Sequence, residues 1–169
     1  MDTENFSAIW APWRAEYFSQ KASSDFLSEA AQTDDDAAHL VVARRKNSFL
    51  IMNRFPYAVG HMMAAPYQKV GRLEALDAAT KLELWELAEF AQQLLTRVVS
   101  AQGFNLGLNL GRCAGAGVID HLHLHIVPRW EGDNNFMPVL ANTRVLPEAL
   151  DALYAKLMNA VAEESARSK

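Results

Sequence analysis

The segment from His121 to Trp130 constrains this chain more than any other stretch of its sequence. Its first five residues alternate histidine with leucine, and isoleucine, valine and proline follow. Successive side chains of a β-strand point to opposite faces, so His121, His123 and His125 should share one face and the aliphatic residues the other. The aliphatic face suits a hydrophobic core, and the imidazole face can line a cleft. The pattern therefore predicts a strand that carries chemistry.

Three interpretations of this histidine row are open: an inert strand, a metal site and a nucleophilic centre. An inert strand is disfavoured for two reasons. Three buried imidazoles would need three sets of hydrogen-bond partners, and exposed imidazoles would have no need to alternate so regularly. A metal site is disfavoured because His121 and His125 should lie roughly 13 Å apart at about 3.3 Å per residue, while metal–nitrogen bonds are about 2 Å long. Two of the three with His61 could still share an ion. Nucleophilic catalysis is favoured, since a neutral imidazole attacks phosphorus near pH 7 and His123 has a histidine on each side.

Length and composition indicate one folded domain with a terminal extension. Of 169 residues, 50% are hydrophobic and 21% charged, which is ordinary for a soluble globular protein. We predict an N-terminal extension over residues 1–39 and the catalytic domain over residues 40–169. The net charge of −4 gives no basic field for nucleic acid. The single cysteine, Cys113, excludes an internal disulfide and a cysteine zinc site. Without a leader or an 18-residue apolar window, we expect a cytoplasmic protein with no membrane partner.

Hydrophobic periodicity predicts an α+β fold with a mostly antiparallel five-stranded sheet. A helical period runs from about residue 75 to 99 and should end at Gly103. A C-terminal helix is predicted over residues 146–162, with Pro147 in its first turn. A glycine-rich loop spans residues 111–117. The predicted strands are residues 40–43, 48–53, 61–65, 104–108 and 121–127.

The triad and its surroundings resemble the histidine triad (HIT) superfamily of nucleotidyl transferases and hydrolases. The resemblance covers about residues 40–140 and rests on several runs besides the triad, which are residues 49–57, 60–66, 107–111, 114–117 and 128–130. Residues 9–17 and 132–137 resemble the bacterial diadenosine tetraphosphate phosphorylase branch. Galactose-1-phosphate uridylyltransferases carry glutamine where this chain has His125, so that activity is not expected.

The resemblance implies a role for each of four histidines. His123 is expected to attack the α-phosphorus of a nucleotide and form a covalent nucleotidyl-imidazole intermediate. His121 and His125 are expected to flank it, with His125 near the phosphate and the leaving group. His61 is expected to support the triad by hydrogen bonding.

The resemblance also implies a nucleotide-binding set. Asn53 matches the asparagine that holds the ribose hydroxyls, although from sequence alone it could equally cap a turn. Ile51 and Met63 are candidate walls of the base pocket, with plain core residues as the alternative. Asn109 precedes the glycine-rich loop and is a candidate phosphate or ribose contact.

The glycine-rich loop is expected to cradle phosphate through its backbone. Gly115, Ala116 and Gly117 are the candidate contacts, because glycines let N–H groups converge on an anion without Cβ clashes. Many relatives carry serine, threonine or glutamine near Gly117, so the fine specificity stays open. Arg112 and Arg129 could neutralise the distal phosphates of a polyphosphate, or be ordinary surface residues.

Other residues with conspicuous side chains are not expected to take part in catalysis. Cys113 lies in the loop but no role for it follows from the resemblance. The tryptophans Trp10, Trp13 and Trp130 are expected to pack or to lie at an interface.

Three functions follow, of which the first is preferred. It is phosphorolysis of diadenosine tetraphosphate to ATP and ADP, with the nucleotide and inorganic phosphate as partners. The second is hydrolysis of dinucleoside polyphosphates or nucleoside phosphoramidates, and the third is non-catalytic nucleotide binding. The family typically forms homodimers, and the sequence does not separate a dimer from a higher oligomer. No cofactor is required because the nucleophile is a side chain, and a divalent cation accompanying the polyphosphate is left open.

Overall fold

Five strands form one antiparallel sheet in the order β1-β2-β3-β5-β4. The coordinates, a computed structural model, describe residues 26–133 and 149–167. The predicted α+β class and five-stranded sheet are confirmed, with strand ends within a residue of expectation except in β5. The strands are β1 (Val41–Arg44), β2 (Ser48–Met52), β3 (Met62–Pro66), β4 (Gly103–Leu108) and β5 (Leu124–Arg129).

Four α-helices accompany the sheet in the described part of the chain. The long helix α3 starts at an aspartate cap, where the Asp77 carboxylate accepts from the Thr80 amide at 2.6 Å. It ends at Val99, where the predicted period ends, but the terminating residue is Ser100 in a left-handed conformation (φ 53°, ψ 41°) and not Gly103, which instead opens β4. The helices are α1 (Phe26–Gln32), α2 (Asp36–His39), α3 (Ala78–Val99) and α4 (Leu150–Arg167). No helix among the described residues is long and apolar enough to cross a membrane.

The two faces of the sheet bury different hydrophobic clusters. One face packs against α3 and α4, because the long helix carries buried residues at the predicted three- and four-residue spacing, such as Leu84, Leu87 and Ala91. The other face packs against α1 through Leu27 and Ala30. The strand residues of this second cluster are Val41, Phe49, Ile51, Met63 and Ala65. The histidines belong to this second face.

Residues 26–39 of the predicted extension are therefore folded onto the sheet. The boundary predicted at residue 40 stays a prediction, as do the family-like segment 9–17 and its tryptophans, which lie outside the described residues. Pro147 and residues 134–137 also lie outside the described residues, and the predictions for them stay predictions. The described part of the C-terminal helix runs to Arg167, past the predicted end at residue 162.

Candidate active site

One row of residues across the sheet places the candidate site. Ile51 pairs with Met63, Met63 with His125, and His125 with Gly107. Paired residues in neighbouring strands share a face, so the two candidate base-pocket residues and the third triad histidine lie in line. Ile51 and Met63 are both buried, in the cluster that includes α1. Their role in base binding stays a prediction.

The triad alternates as predicted, although β5 begins later than expected. β5 starts at Leu124, so only His125 of the triad lies within the strand. The prediction of a strand from His121 was wrong because Leu122 donates its amide to the Val70 carbonyl at 2.7 Å and leaves the β3 ladder. The two faces nevertheless persist. The leucines and isoleucine enter the core beneath α3, while His121, His123 and His125 are 1%, 7% and 8% exposed on the other face.

A single hydrogen bond sets the tautomer of His123. Its Nδ1 lies 2.9 Å from the backbone carbonyl oxygen of His121. Because a carbonyl only accepts, Nδ1 must carry the proton and the neutral ring keeps its lone pair on Nε2. The same bond fixes the plane of the ring, and the role of His123 as the nucleophile stays a prediction.

A second, longer chain of hydrogen bonds sets the tautomer of His125. The Tyr57 amide donates to His61 Nδ1 at 3.1 Å, so His61 carries its proton on Nε2. His61 Nε2 lies 2.9 Å from His125 Nδ1, to which it donates. His125 is left with its proton on Nε2, and its ring lies edge-on to that of His123 with centroids 4.8 Å apart. The site thus presents a lone pair on His123 beside an N–H donor on His125.

Two asparagines of the predicted set reach these histidines. The Asn109 amide nitrogen lies 3.3 Å from His125 Nε2, and because that ring nitrogen carries a proton in this tautomer, the amide has to be flipped for its oxygen to accept the proton. The Asn53 amide nitrogen lies 3.4 Å from His61 Nδ1, while its oxygen accepts from the Phe55 amide at 2.9 Å. Asn53 therefore caps the turn after β2, which is the alternative that the sequence left open. Ribose binding by Asn53 stays a prediction.

His121 faces a different set of partners. Its Nε2 donates to the Pro66 carbonyl at 2.8 Å, so Nδ1 is an acceptor. The Ser28 hydroxyl lies 3.4 Å from that Nδ1. The side chain of His121 is thus held between the end of β3 and helix α1.

The glycine-rich loop uses several of its amides internally. The amides of Ala114 and Ala116 both donate to the Gly111 carbonyl, and that of Gly115 donates to the Arg112 carbonyl. Gly111 and Gly115 have φ of 83° and 85°, which residues with a Cβ rarely adopt. The glycines are therefore needed for the tight turn itself. The predicted phosphate contacts of Gly115, Ala116 and Gly117 stay predictions.

The remaining conspicuous residues have separate environments. Arg129 binds Asp133 through two nitrogens at 2.5 and 2.7 Å, and this bond lowers the pKa of Asp133 to about 2. The predicted phosphate contacts of Arg129 and Arg112 stay predictions. Cys113 is exposed. Trp130 packs against the main core and donates to the Val99 carbonyl, as expected for a packing residue.

Three residues at the site were not assigned roles from sequence. Tyr57 stacks on His61 with ring centroids 4.6 Å apart, and its ring also lies 5.6 Å from that of His125. Ser28 lies in a segment outside the family motifs. Gly71 lets two loops meet, since a Cβ there would lie 2.5 Å from the Ile119 carbonyl oxygen. A glycine before a charged stretch gives no sequence signal for such an approach.

Within residues 26–133 and 149–167, no group of three or more histidine, cysteine, aspartate or glutamate side chains is placed to hold a metal ion.

Comparison with known proteins places the chain in one family. The HIT domain profile matches residues 35–132, more than half of the chain. A Mycobacterium tuberculosis protein named AP-4-A phosphorylase is 35% identical over 157 residues, which covers 87% of this chain and 80% of that one. An asymmetrical bis(5'-nucleosyl)-tetraphosphatase from Schizosaccharomyces pombe is 33% identical over 93 residues, or 55% of this chain and 50% of that one. A zinc-bound histidine triad family protein from Mycobacterium smegmatis has the same fold, with a TM-score of 0.62, 22% identity, and coverage of 76% and 87%. The chain belongs to the HIT family.

Proposed function

We propose that this protein is a nucleotidyltransferase that splits diadenosine tetraphosphate with inorganic phosphate to give ATP and ADP. The observation that carries the proposal is the bond from His123 Nδ1 to the His121 carbonyl, which keeps the lone pair of the buried imidazole on Nε2. The 35% identical relative named AP-4-A phosphorylase supports the choice of substrate, because the similarity covers most of both chains.

The first chemical step follows from the two tautomers. His123 Nε2 attacks the α-phosphorus of one adenylate, forming a nitrogen–phosphorus bond while the bond to the bridging oxygen breaks and ATP leaves. His125 donates its Nε2 proton in a hydrogen bond to an oxygen of the reacting phosphate and stabilises the negative charge there. His61 holds His125 in that tautomer.

The second step regenerates the enzyme. An oxygen of inorganic phosphate attacks the adenylyl group, the nitrogen–phosphorus bond breaks and ADP leaves. Water at roughly 55 M competes for the same intermediate, so the site must hold phosphate in line and exclude water. The protein is proposed to act as a cytoplasmic homodimer, with β4, a half-exposed edge strand, available for pairing.

A hydrolase is the second candidate, because the Schizosaccharomyces pombe relative carries a tetraphosphatase name. The two functions share the first step and differ only in the acceptor. Product analysis therefore separates them without any assumption about the nucleophile.

The test incubates the pure protein with diadenosine tetraphosphate, with and without inorganic phosphate, and separates the nucleotides by chromatography. We expect ATP plus ADP, formed only with phosphate, and loss of turnover with retained nucleotide binding in His123→Ala. AMP plus ATP in both buffers would establish the hydrolase instead. Turnover by the His123→Ala variant would overturn the covalent mechanism, and nucleotide binding without turnover by the wild type would indicate a binding protein.

A further inference from the structure

Helix α1 touches the triad although it lies outside the residues that the family profile matches. The profile begins at residue 35, whereas α1 spans Phe26–Gln32. We propose that Ser28 of this helix is a positioning residue, which orients the His121 ring and through it the nucleophile His123. The catalytic consequence rests on the proposed function, but the structural part does not.

The helix is packed tightly against the histidine face of the sheet. Leu27 and Ala30 are fully buried and contact the cluster that includes Ile51 and Met63. Full burial of a leucine side chain adds to the free energy of folding, so Leu27 helps to hold α1 on the sheet. Ser28 is therefore presented to the sheet by a fixed helix.

A partly buried arginine of β1, Arg44, binds the same helix from the sheet side. The Arg44 guanidinium donates to the carbonyls of Ala30 and Thr33, each at 2.8 Å, so it satisfies carbonyls at the C-terminal end of α1. Arg44 also binds Asp36 at 2.8 Å. These partners give Arg44 a structural role at the end of α1.

The direction of each hydrogen bond at His121 follows from its partners. The Pro66 carbonyl takes the Nε2 proton, so Nδ1 must accept, and the Ser28 hydroxyl donates to it. The distance of 3.4 Å is long for a hydrogen bond, so its contribution is modest. Two anchors on opposite sides of the ring hold it more firmly than the Pro66 bond alone.

His121 passes this restraint to the nucleophile through its backbone. The carbonyl of His121 accepts the Nδ1 proton of His123 at 2.9 Å. A displacement of the His121 ring that shifts its Cα also shifts that carbonyl, because both belong to one residue. Ser28 thus acts on His123 through His121 and does not itself touch the substrate.

The test compares Ser28→Ala, which removes the hydroxyl, with Ser28→Thr, which keeps one, and with Glu29→Ala on the exposed side of the same helix. Imidazole ¹⁵N NMR of the ligand-free protein reports His121 Nδ1 and the tautomer of His123. Turnover of diadenosine tetraphosphate reports the catalytic effect. We expect Ser28→Ala to shift the His121 Nδ1 and His123 resonances and to lower kcat about two- to tenfold, with KM unchanged. Ser28→Thr should restore both readouts, and Glu29→Ala should leave them as in the wild type.

Two results would overturn the proposal. One is a Ser28→Ala protein with unshifted histidine resonances, and the other is an equal loss of kcat in Glu29→Ala. If the proposed function is wrong, the wild type itself shows no turnover of diadenosine tetraphosphate. The NMR comparison then decides the positioning role alone, since it uses no substrate.

Discussion

The His61–His125 bond offers the sharpest test of how this site is organised. His61 is 1% exposed and His125 8% exposed, so neither ring can exchange its partner for bulk water at little cost. His61→Phe keeps an aromatic ring that can stack on Tyr57 but removes both nitrogens. His61→Gln removes the ring but keeps an amide N–H near the position of Nε2. The pair of variants therefore separates the hydrogen bond from the packing.

The expected loss of rate follows from how the bond changes during reaction. When His125 donates its Nε2 proton toward a charged phosphate, its Nδ1 becomes a better acceptor for His61. A neutral hydrogen bond is worth about 1 kcal/mol and one to a charged group about 1.5–3 kcal/mol, so the differential loss is roughly 0.5–2 kcal/mol. That corresponds to a fall in kcat of about two- to thirtyfold for His61→Phe. His61→Gln should stay within about threefold of the wild type, since it retains the donor.

Folding must be controlled separately, because the Phe variant also leaves the Tyr57 amide without its acceptor at His61. An unsatisfied buried amide costs about 1–3 kcal/mol, so urea denaturation should show a lower midpoint for His61→Phe. Steady-state kinetics with diadenosine tetraphosphate are then measured well below that midpoint. Equal kcat values for the two variants would refute the proposed role of the His61–His125 hydrogen bond, as would a Phe variant as fast as the wild type.

Two further predictions concern stability around the site. Gly71→Ala should destabilise the protein by about 1–3 kcal/mol in urea denaturation. The new Cβ would lie 2.5 Å from the carbonyl oxygen of Ile119, which precedes the triad in the sequence. Gly103→Ala is the matched control, since its Cβ would have no neighbour closer than 4.0 Å, and an equal loss in both would contradict the argument. Asp133→Asn should lower stability slightly near pH 6 and have no effect near pH 2. The Asp133 pKa is lowered from 3.8 to about 2 by Arg129, so the stabilisation is complete above the unfolded value and disappears as the pH falls through about 2. Thermal melts of both proteins across this range check it, and a difference that grew toward pH 2 would contradict the assignment.

The alternation of His121 to Ile126 predicted the orientation of the site because a period of two depends only on extended backbone. It could not predict where β5 joins the sheet, since that depends on which partner takes each amide. Leu122 donates to Val70 and the His121 ring binds Pro66, a residue that has no N–H of its own for a ladder. The register starts only at Leu124. The local alternation thus determines which face each side chain of this segment occupies, and pairing with residues distant in sequence determines where β5 begins.

The tautomers of the site show the same division between local and distant causes. The proton on His123 Nδ1 is set by a carbonyl two residues away, a local contact that the strand pattern did not predict. The proton on His125 is set by His61, 64 positions away, and by the amide of Tyr57. No spacing in the sequence encodes that pairing. Only the family resemblance gave His61 a supporting role in the triad, and neither source assigned a role to Tyr57.

Ile51 and Met63 show why position in the sheet does not settle function. Both lie in line with His125, as a base pocket beside the triad requires, yet both are packed in the cluster that contains Leu27 and Ala30 of α1. A residue in that cluster can be core and pocket wall at once, because α1 covers one part of the face while the histidines occupy another. If Ile51 and Met63 line a base pocket, as the resemblance implies, the buried residues of α1 lie beside that pocket. Substitution of Leu27 or Ala30 should then alter base preference, because both pack in the same cluster as Ile51 and Met63, whereas substitution of Ser28 should act on the triad through His121.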